Sequence, residues 1–232
     1  MSLVAGIHLG DIALLVADRR VVTKNELGEI IILSDDHKKI IDTGIGYITG
    51  SGCVELLDPV KYAIQDSNIT HTDQILNIIS EEKEYFRECA VFGDLTDEII
   101  GMTGWLFTYR TIIEDKPEIR VALCHPSLGK EMGLILKGKA NFIIPVGSPE
   151  DPILRVSDLV NKHIKTSDDI TDPMKCLEYH IPILREVYSF VSECCKTVSE
   201  TFNIGVVFKD GTMMHSTEIG PSSNNITFTP SR

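Results

Sequence analysis

The order of the expected elements predicts an α+β protein made of two stacked antiparallel sheets with helices on both outer faces. The 232-residue chain gives strands, two helices, more strands, two further helices and a last group of strands. Because each sheet buries one face on the other sheet and needs helices to cover its second face, this succession is typical of a layered domain. We see no repeat and no break in composition, and we therefore expect residues 1–232 to form a single domain.

The first part of the chain predicts strands. Residues 3–9 and 12–18 are apolar runs joined at Leu9-Gly10-Asp11, a pattern typical of two strands with a tight connection. A turn is expected at Lys24-Asn25-Glu26-Leu27-Gly28. Further strands are expected at 29–33, 38–42 and 45–49.

Two helices are expected next, because apolar residues recur at three- and four-residue spacing over residues 53–66 and 72–89. Thr72 is expected to cap the second of them. A strand-rich block follows, in which Trp105 is expected to be a core residue. The strands expected in this block are 99–113, 118–124, 132–137 and 141–146.

The last part of the chain predicts two helices and a hairpin. A short helix is expected near residues 156–163, within a polar segment. Thr171-Asp172-Pro173 predicts the start of a longer helix, since Asp favours the N-cap position and Pro the first helical position. Pro182 is expected to bend that helix. Strands at 204–208 and 212–215 are expected to form a hairpin.

Charge and composition exclude several classes of function. The net charge of −12, from 22 Lys and Arg against 34 Asp and Glu, argues against a nucleic-acid partner, which is bound through clustered basic residues. The chain has no run of about 18 apolar residues and no secretory signal pattern, so we expect no membrane span and a cytoplasmic location. The six cysteines and seven histidines lack metal-ligand spacing, and no metal or cofactor is expected.

The first two residues suggest a catalytic chemistry. Met1 precedes the small residue Ser2, a context in which methionine is usually removed, and the mature chain would then begin with Ser2. That residue would carry both a hydroxyl group and a free α-amine. Because an α-amine has a reference pKa of about 7.7–8, it can take the proton of the hydroxyl group near neutral pH. Ser2 would thus be nucleophile and base at once.

Residues downstream of Ser2 stand in an order and nearly a spacing that match a known family. They are Gly6, Asp11, Ala17-Asp18-Arg19-Arg20, Lys38-Lys39-Ile40 and Ile48-Thr49-Gly50. Together they resemble the N-terminal third of proteasome β subunits and their bacterial relatives, the N-terminal-nucleophile (Ntn) hydrolases of proteasome type. The resemblance is good over residues 2–65 and continues more weakly at Val146-Gly147-Ser148 and Lys196-Thr197-Val198-Ser199. It implies a four-layer αββα sandwich.

The resemblance also implies a site. It makes Ser2 the nucleophile, Asp18 and Lys39 a buried ion pair beside it, the Gly50 amide an oxyanion donor, and Ser148 and Ser199 hydroxyls that surround the terminal amine. The physical chemistry of this set is coherent. An ammonium group beside the nucleophile stabilises the alkoxide, and Asp18 offsets the cost of burying that ammonium.

The chain departs from the family pattern at two places. Lys196 stands where the family usually has Asp, three residues before its last active-site Ser, and is expected to bring a like charge toward the ammonium. Ser148-Pro149-Glu150-Asp151-Pro152 replaces a run of small residues. Three of the site residues also have an ordinary structural interpretation: Asp18 as the polar end of a strand, Lys39 as a solvated lysine and Gly50 as part of a helix-entry loop.

Three functions are left open. The resemblance implies a peptidase or related amide hydrolase in which Ser2 attacks the carbonyl and water hydrolyses the resulting ester. Such proteins act on peptides or proteins, form homo-oligomeric rings and are often served by an ATP-dependent unfoldase, and these partners are expected here. The first alternative is a non-catalytic scaffold or ring subunit of the same fold. The second is a small-molecule amidase or acylase.

Overall fold

The computed structural model describes residues 2–89, 92–129, 131–145, 150–223 and 226–231. The strands in these residues are β1 (Val4–His8), β2 (Ile12–Asp18), β3 (Val21–Lys24), β4 (Ile30–Ser34), β5 (Ile41–Asp42), β6 (Tyr47–Ser51), β7 (Gly104–Ile113), β8 (Lys116–Cys124), β9 (Gly133–Ile135), β10 (Lys139–Ile143), β11 (Phe202–Phe208), β12 (Met213–Ser216) and β13 (Phe228–Pro230). The helices are α1 (Val54–Gln65), α2 (Thr72–Cys89), α3 (Thr96–Gly101), α4 (Glu150–His163) and α5 (Pro173–Cys194).

The strands form two large antiparallel sheets and a small ribbon. The first sheet has the order β10-β1-β2-β11-β12-β13 and the second has the order β5-β6-β7-β8-β9, while β3 and β4 pair only with each other. In the first sheet, β2 pairs with β11 along its whole length, from Phe202 opposite Asp18 to Phe208 opposite Ile12. Strands from both ends of the chain therefore lie side by side, and the N-terminal strands occupy the interior of the sheet.

The apolar side chains form three clusters that show how these elements pack. One cluster joins the first sheet to α4 and α5, one joins the second sheet to α1 and α2, and one contains residues of both sheets. Alternate residues of β2 belong to different clusters. The two sets are Ile12, Leu14 and Val16 toward the helices, and Ala13, Leu15 and Ala17 toward the second sheet. Burial on both faces explains why this strand is apolar without alternation.

The helix α5 begins as predicted. The Asp172 Oδ1 atom accepts hydrogen bonds from the backbone N–H groups of Met174 (2.9 Å) and Lys175 (3.2 Å), and Pro173 is the first helical residue. The helix continues through Pro182 to Cys194. Among the described helices, none combines the length and the apolarity required to cross a bilayer.

The prediction of a strand from residue 99 was wrong at its start. Residues 99–101 belong to α3, and β7 begins only at Gly104. The Thr96 hydroxyl donates to the Gly93 carbonyl (2.8 Å), and two acidic residues occupy the first turn of α3, where they favour a helix. Ile100 is buried in the apolar cluster that joins the second sheet to α1 and α2. Ile99 and Ile100, with which the predicted strand began, therefore belong to a short helix instead.

Other boundaries also differ from the expectations. Only Ile41–Asp42 of the predicted strand 38–42 is paired, because the chain before it turns Lys39 toward Ser2. Thr72 is the first helical residue and not the cap of α2, and the Gln74 side chain accepts from the N–H groups of Thr70 and His71. The helix predicted near 156–163 begins earlier, at residue 150, and β13 was not predicted. The predicted strand 141–146 corresponds to β10, and its last residue, Val146, lies outside the described residues.

A buried imidazole in α5 makes the stability of the fold depend on pH. The His180 Nδ1 atom donates to the Cys176 carbonyl (2.7 Å), and its Nε2 atom accepts from the Lys165 N–H group (3.3 Å). Protonation of Nε2 would turn this acceptor into a donor facing another donor. Burial accordingly lowers the pKa of His180.

We expect the free energy of unfolding to fall as the pH decreases from about 6.5 toward the lowered pKa of His180, because only the unfolded chain then binds a proton there. Urea unfolding at about pH 7.5 and about pH 5.5 measures this slope. His180→Gln should reduce it by up to about 1.4 kcal/mol per pH unit. Some slope will remain, because burial also lowers the pKa of His8 and His125. His71→Gln, at an exposed histidine, is the matched control, and an unchanged slope in His180→Gln would contradict this explanation.

Candidate active site

The pairing of β1 with β2 places Asp18 beside the N-terminal residues. The two strands are antiparallel, with Val4 opposite Ala17. One step further, the Leu3 N–H group donates to Asp18 Oδ1 (2.9 Å) and the Asp18 N–H group donates to the Leu3 carbonyl (3.1 Å). The carboxylate at the end of β2 is therefore fixed by main-chain bonds next to Ser2.

Lys39 brings its ammonium group into the same place. Its Nζ atom donates to Ser2 Oγ (2.7 Å), to Asp18 Oδ2 (2.8 Å) and to the Arg20 carbonyl (2.6 Å). An ammonium group has three hydrogens, and each of them has an acceptor here. Lys39 is 6% exposed and Asp18 is fully buried. The structure thus brings together three residues that the sequence resemblance placed in one site.

Burial and pairing act on these two charges in opposite directions. Burial raises the pKa of Asp18 and lowers the pKa of Lys39, while the attraction between the two charges acts against both shifts. Asp18 also accepts from the N–H groups of Leu3 and Arg20, which favours the carboxylate form. The ammonium of Lys39 therefore stands in a dry environment in contact with the Ser2 hydroxyl, where its charge acts strongly.

Ser51 completes the surroundings of Ser2, and the sequence analysis did not assign it a role. Its buried hydroxyl donates to the Ser2 carbonyl (2.6 Å) and accepts from the Ser2 nitrogen (3.1 Å). That nitrogen is an amide while Met1 is attached and would be an α-amine after its removal. The sequence signal was a hydroxyl residue next to Gly50 at the end of an apolar strand, but only the contact with Ser2 distinguishes Ser51 from an ordinary strand residue.

Gly50 lies in β6, opposite Trp105 in β7. A Cβ atom at Gly50 would come within 2.5 Å of the Leu57 side chain and 3.0 Å of the Gly104 carbonyl oxygen. Close packing therefore explains why this position is glycine. Its role as an oxyanion donor stays a prediction.

The C-terminal positions of the resemblance have mixed outcomes. The Ser199 hydroxyl accepts from the Arg19 N–H group (3.2 Å) and donates to the Thr201 carbonyl (2.7 Å); within the described part of the chain, its hydrogen bonds do not reach Ser2. Ser148 lies outside the described residues. The side chain of Lys196 is exposed, so the expected like charge is not buried beside Lys39. The proposed roles of Ser148 and Ser199 at the amine stay predictions.

Comparison with known proteins supports the fold. No family model matches the chain, and no curated protein matches it. Among solved structures, the chain is similar to the Anbu (Gly-1) mutant from Hyphomicrobium sp. strain MC1, with a TM-score of 0.61 and 10% sequence identity over 97% of this chain and 90% of the other. The chain therefore has a proteasome-like fold.

Loss of the buried ammonium should destabilise the protein. We expect Lys39→Met to lower the free energy of unfolding at neutral pH by about 3–5 kcal/mol, because Asp18 would be left buried without its counter-ion. Urea unfolding measures the change.

Two further variants test that explanation. Lys38→Met, at the exposed neighbouring lysine, is the matched control and should change the free energy of unfolding by less than about 0.5 kcal/mol. The double variant Asp18→Asn/Lys39→Met should recover part of the loss, since it leaves no buried charge unpaired. An equal loss of unfolding free energy in the single and double variants would show that lost packing, and not the unpaired charge, causes the destabilisation.

Proposed function

We propose that the chain is an amide hydrolase of the peptidase type whose nucleophile is the hydroxyl group of Ser2 after removal of Met1. The observation that carries the proposal is the hydrogen bond from the buried Lys39 ammonium to Ser2 Oγ (2.7 Å), with Asp18 holding the same ammonium at 2.8 Å. A positive charge in contact with an oxygen in a dry site stabilises the alkoxide that forms when that oxygen loses its proton.

The proposed reaction has two stages. In the first, the Ser2 α-amine takes the hydroxyl proton and Ser2 Oγ attacks the carbonyl carbon of the amide substrate. The C–N bond of the substrate then breaks, the amine product takes that proton and leaves, and an ester remains on Ser2. In the second, the α-amine activates water, which hydrolyses the ester. Ser51 is placed to accept a hydrogen bond from the amine nitrogen, and we assign the oxyanion to the Gly50 N–H group. An amide nitrogen is not a base, so a chain that keeps Met1 lacks the first step.

The fold supports a wider proposal about the chain. We propose that its layers are the four-layer αββα sandwich of the Ntn hydrolases and that residues 1–232 act as a single domain with a peptide or protein substrate. The pairing of β2 with β11 supports one domain, because it joins the two ends of the chain in one sheet. Six free cysteines suit a cytoplasmic location, where thiols stay reduced.

The proposal includes a homo-oligomeric ring, and the β3–β4 ribbon supports it. Four consecutive aliphatic residues of this ribbon are exposed: Ile30 (38%), Ile31 (44%), Ile32 (49%) and Leu33 (62%). They lie on both faces of a two-stranded ribbon that pairs with neither large sheet. Contiguous exposed aliphatic side chains are typical of an association surface, and head-to-tail contacts between copies generate rings when the rotation closes. An unfoldase partner stays a prediction from the resemblance.

We expect Ser2→Ala to lower the turnover of a fluorogenic peptide amide by at least about a thousandfold, because it removes the attacking oxygen. Alanine is also a small residue, so removal of Met1 should continue. Intact mass measurement on both proteins checks that removal, and steady-state kinetics measure turnover.

The exposed Ser222→Ala variant is the control and should keep wild-type turnover. A chain without Met1 that cleaves none of a panel of peptide amides would contradict the proposal and leave the scaffold and the small-molecule amidase as the remaining alternatives. Equal turnover in Ser2→Ala and wild type would rule out Ser2 as the nucleophile.

We expect a charge in the ribbon to weaken self-association. Ile31→Lys should shift the molar mass toward that of the monomer, because burying an unpaired ammonium in an apolar contact is costly. Light scattering coupled to size-exclusion chromatography measures the molar mass. Ile112→Lys introduces the same charge at an exposed isoleucine at the far end of β7 and is the control. A wild-type chain that is monomeric at all concentrations would contradict the ring.

A further inference from the structure

Arg20 connects the buried ion pair to two other segments of the chain. Its N–H group donates to Asp18 Oδ2 (2.9 Å), and its carbonyl accepts from Lys39 Nζ (2.6 Å). Its guanidinium Nη1 atom donates to the carbonyls of Lys196 (3.1 Å) and Val198 (3.0 Å). One residue thus contacts both members of the ion pair through its main chain and the turn after α5 through its side chain.

The remaining edge of the guanidinium group is held by Asp35. Arg20 Nε donates to Asp35 Oδ1 (2.7 Å), and Arg20 Nη2 donates to Asp35 Oδ2 (2.9 Å). Two parallel bonds of this kind fix the plane of the guanidinium group as well as its position. With that plane fixed, Nη1 points at the two carbonyls after α5. The side chain of Lys196 supplies no carboxylate, and the acid that pairs with Arg20 comes from the turn after β4 instead.

We infer that Asp35, acting through Arg20, is a positioning residue for Lys39 and Ser2. The inference rests on the proposed function. When Asp35 holds the guanidinium plane, the Arg20 carbonyl stays 2.6 Å from Lys39 Nζ, and Lys39 in turn keeps its contact with Ser2 Oγ. Asp35 touches neither Ser2 nor Lys39 through a described hydrogen bond, so its effect is on geometry and on the field at the ammonium.

The electrostatics give a second, independent link. Burial lowers the pKa of Lys39, and the charge of Asp18 acts against that shift. The ammonium of Lys61 lowers the pKa further, and the charge of Asp35 adds a smaller effect that raises it. The pairing with Arg20 lowers the pKa of Asp35 itself, so Asp35 is charged near neutral pH. Removal of that charge should therefore make the Lys39 ammonium easier to deprotonate.

The test compares Asp35→Asn with Asp36→Asn. Both variants remove one negative charge from adjacent exposed acids, but Asp36 pairs with Arg19 and not with Arg20. We expect Asp35→Asn to lower kcat for a peptide amide about tenfold with KM changed less than about twofold, because a small misplacement of reacting groups slows the chemical step. Asp36→Asn should keep the wild-type kcat.

A titration of Lys39 separates positioning from activity. NMR of protein labelled at lysine ¹³Cε, with the Lys39 signal assigned from Lys39→Met, should show its pKa lowered in Asp35→Asn and unchanged in Asp36→Asn. Arg20→Lys keeps the charge but not the planar fork, so it should lower kcat as much as Asp35→Asn does, and the double variant should lose no more than either single variant. Thermal unfolding should change little in Asp35→Asn, because this pair is partly exposed.

These experiments distinguish failure of the role inferred for Asp35 from failure of the proposed function. An active wild type in which Asp35→Asn and Asp36→Asn have equal kcat and equal Lys39 titrations overturns the role of Asp35 and leaves the hydrolase proposal standing. A wild type without Met1 and without amidase activity overturns the hydrolase proposal. In that case the Lys39 titration alone decides whether Asp35 acts on Lys39: a shift confined to Asp35→Asn supports the coupling, and its absence overturns it.

Discussion

The contact between Lys39 and Asp18 is the constraint on which the site depends. Two opposite charges are taken out of water here, and such a pair is tolerated only when its remaining hydrogen bonds are also satisfied. Every hydrogen of the ammonium has an acceptor, and Asp18 accepts from two main-chain N–H groups besides Lys39. Since Ser2 is one of the three acceptors of Lys39, satisfying the ion pair also fixes the residue that we propose as the nucleophile.

The fold explains how the first described residues are held in place. Terminal residues are usually poorly ordered unless they are bound into a sheet. Here β1 lies between β2 and β10, and β2 lies between β1 and β11, so both strands have neighbours on each side. The cluster beneath α4 and α5 and the cluster between the sheets pack on their two faces. Ser2 therefore lies two residues before a fully buried strand, whose pairing and packing fix its position.

Charges around the site are arranged differently from the pattern that the resemblance implies. Lys196 contributes its carbonyl to Arg20 and keeps its side chain exposed, while Asp35 supplies the carboxylate that pairs with the same guanidinium group. A turn after β4 and a turn after α5 are thereby joined through one arginine. After α5, Arg20 binds main-chain carbonyls, which do not depend on residue type, so lysine at position 196 is accommodated without placing a second ammonium beside Lys39.

The sequence by itself determined the elements whose signals are local. The strands β1 and β2 could be predicted because their apolar residues are consecutive in the sequence. The start of α5 could be predicted because Asp172 and Pro173, which set it, are adjacent. The resemblance also named Ser2, Asp18 and Lys39. Only the tertiary structure decided between the buried ion pair that the resemblance implied and a solvated Lys39, and showed that Ser51 and Asp35 belong to the network. The long-range contacts of this network join residues 15 to 178 positions apart, and no local pattern encodes which distant partners will meet.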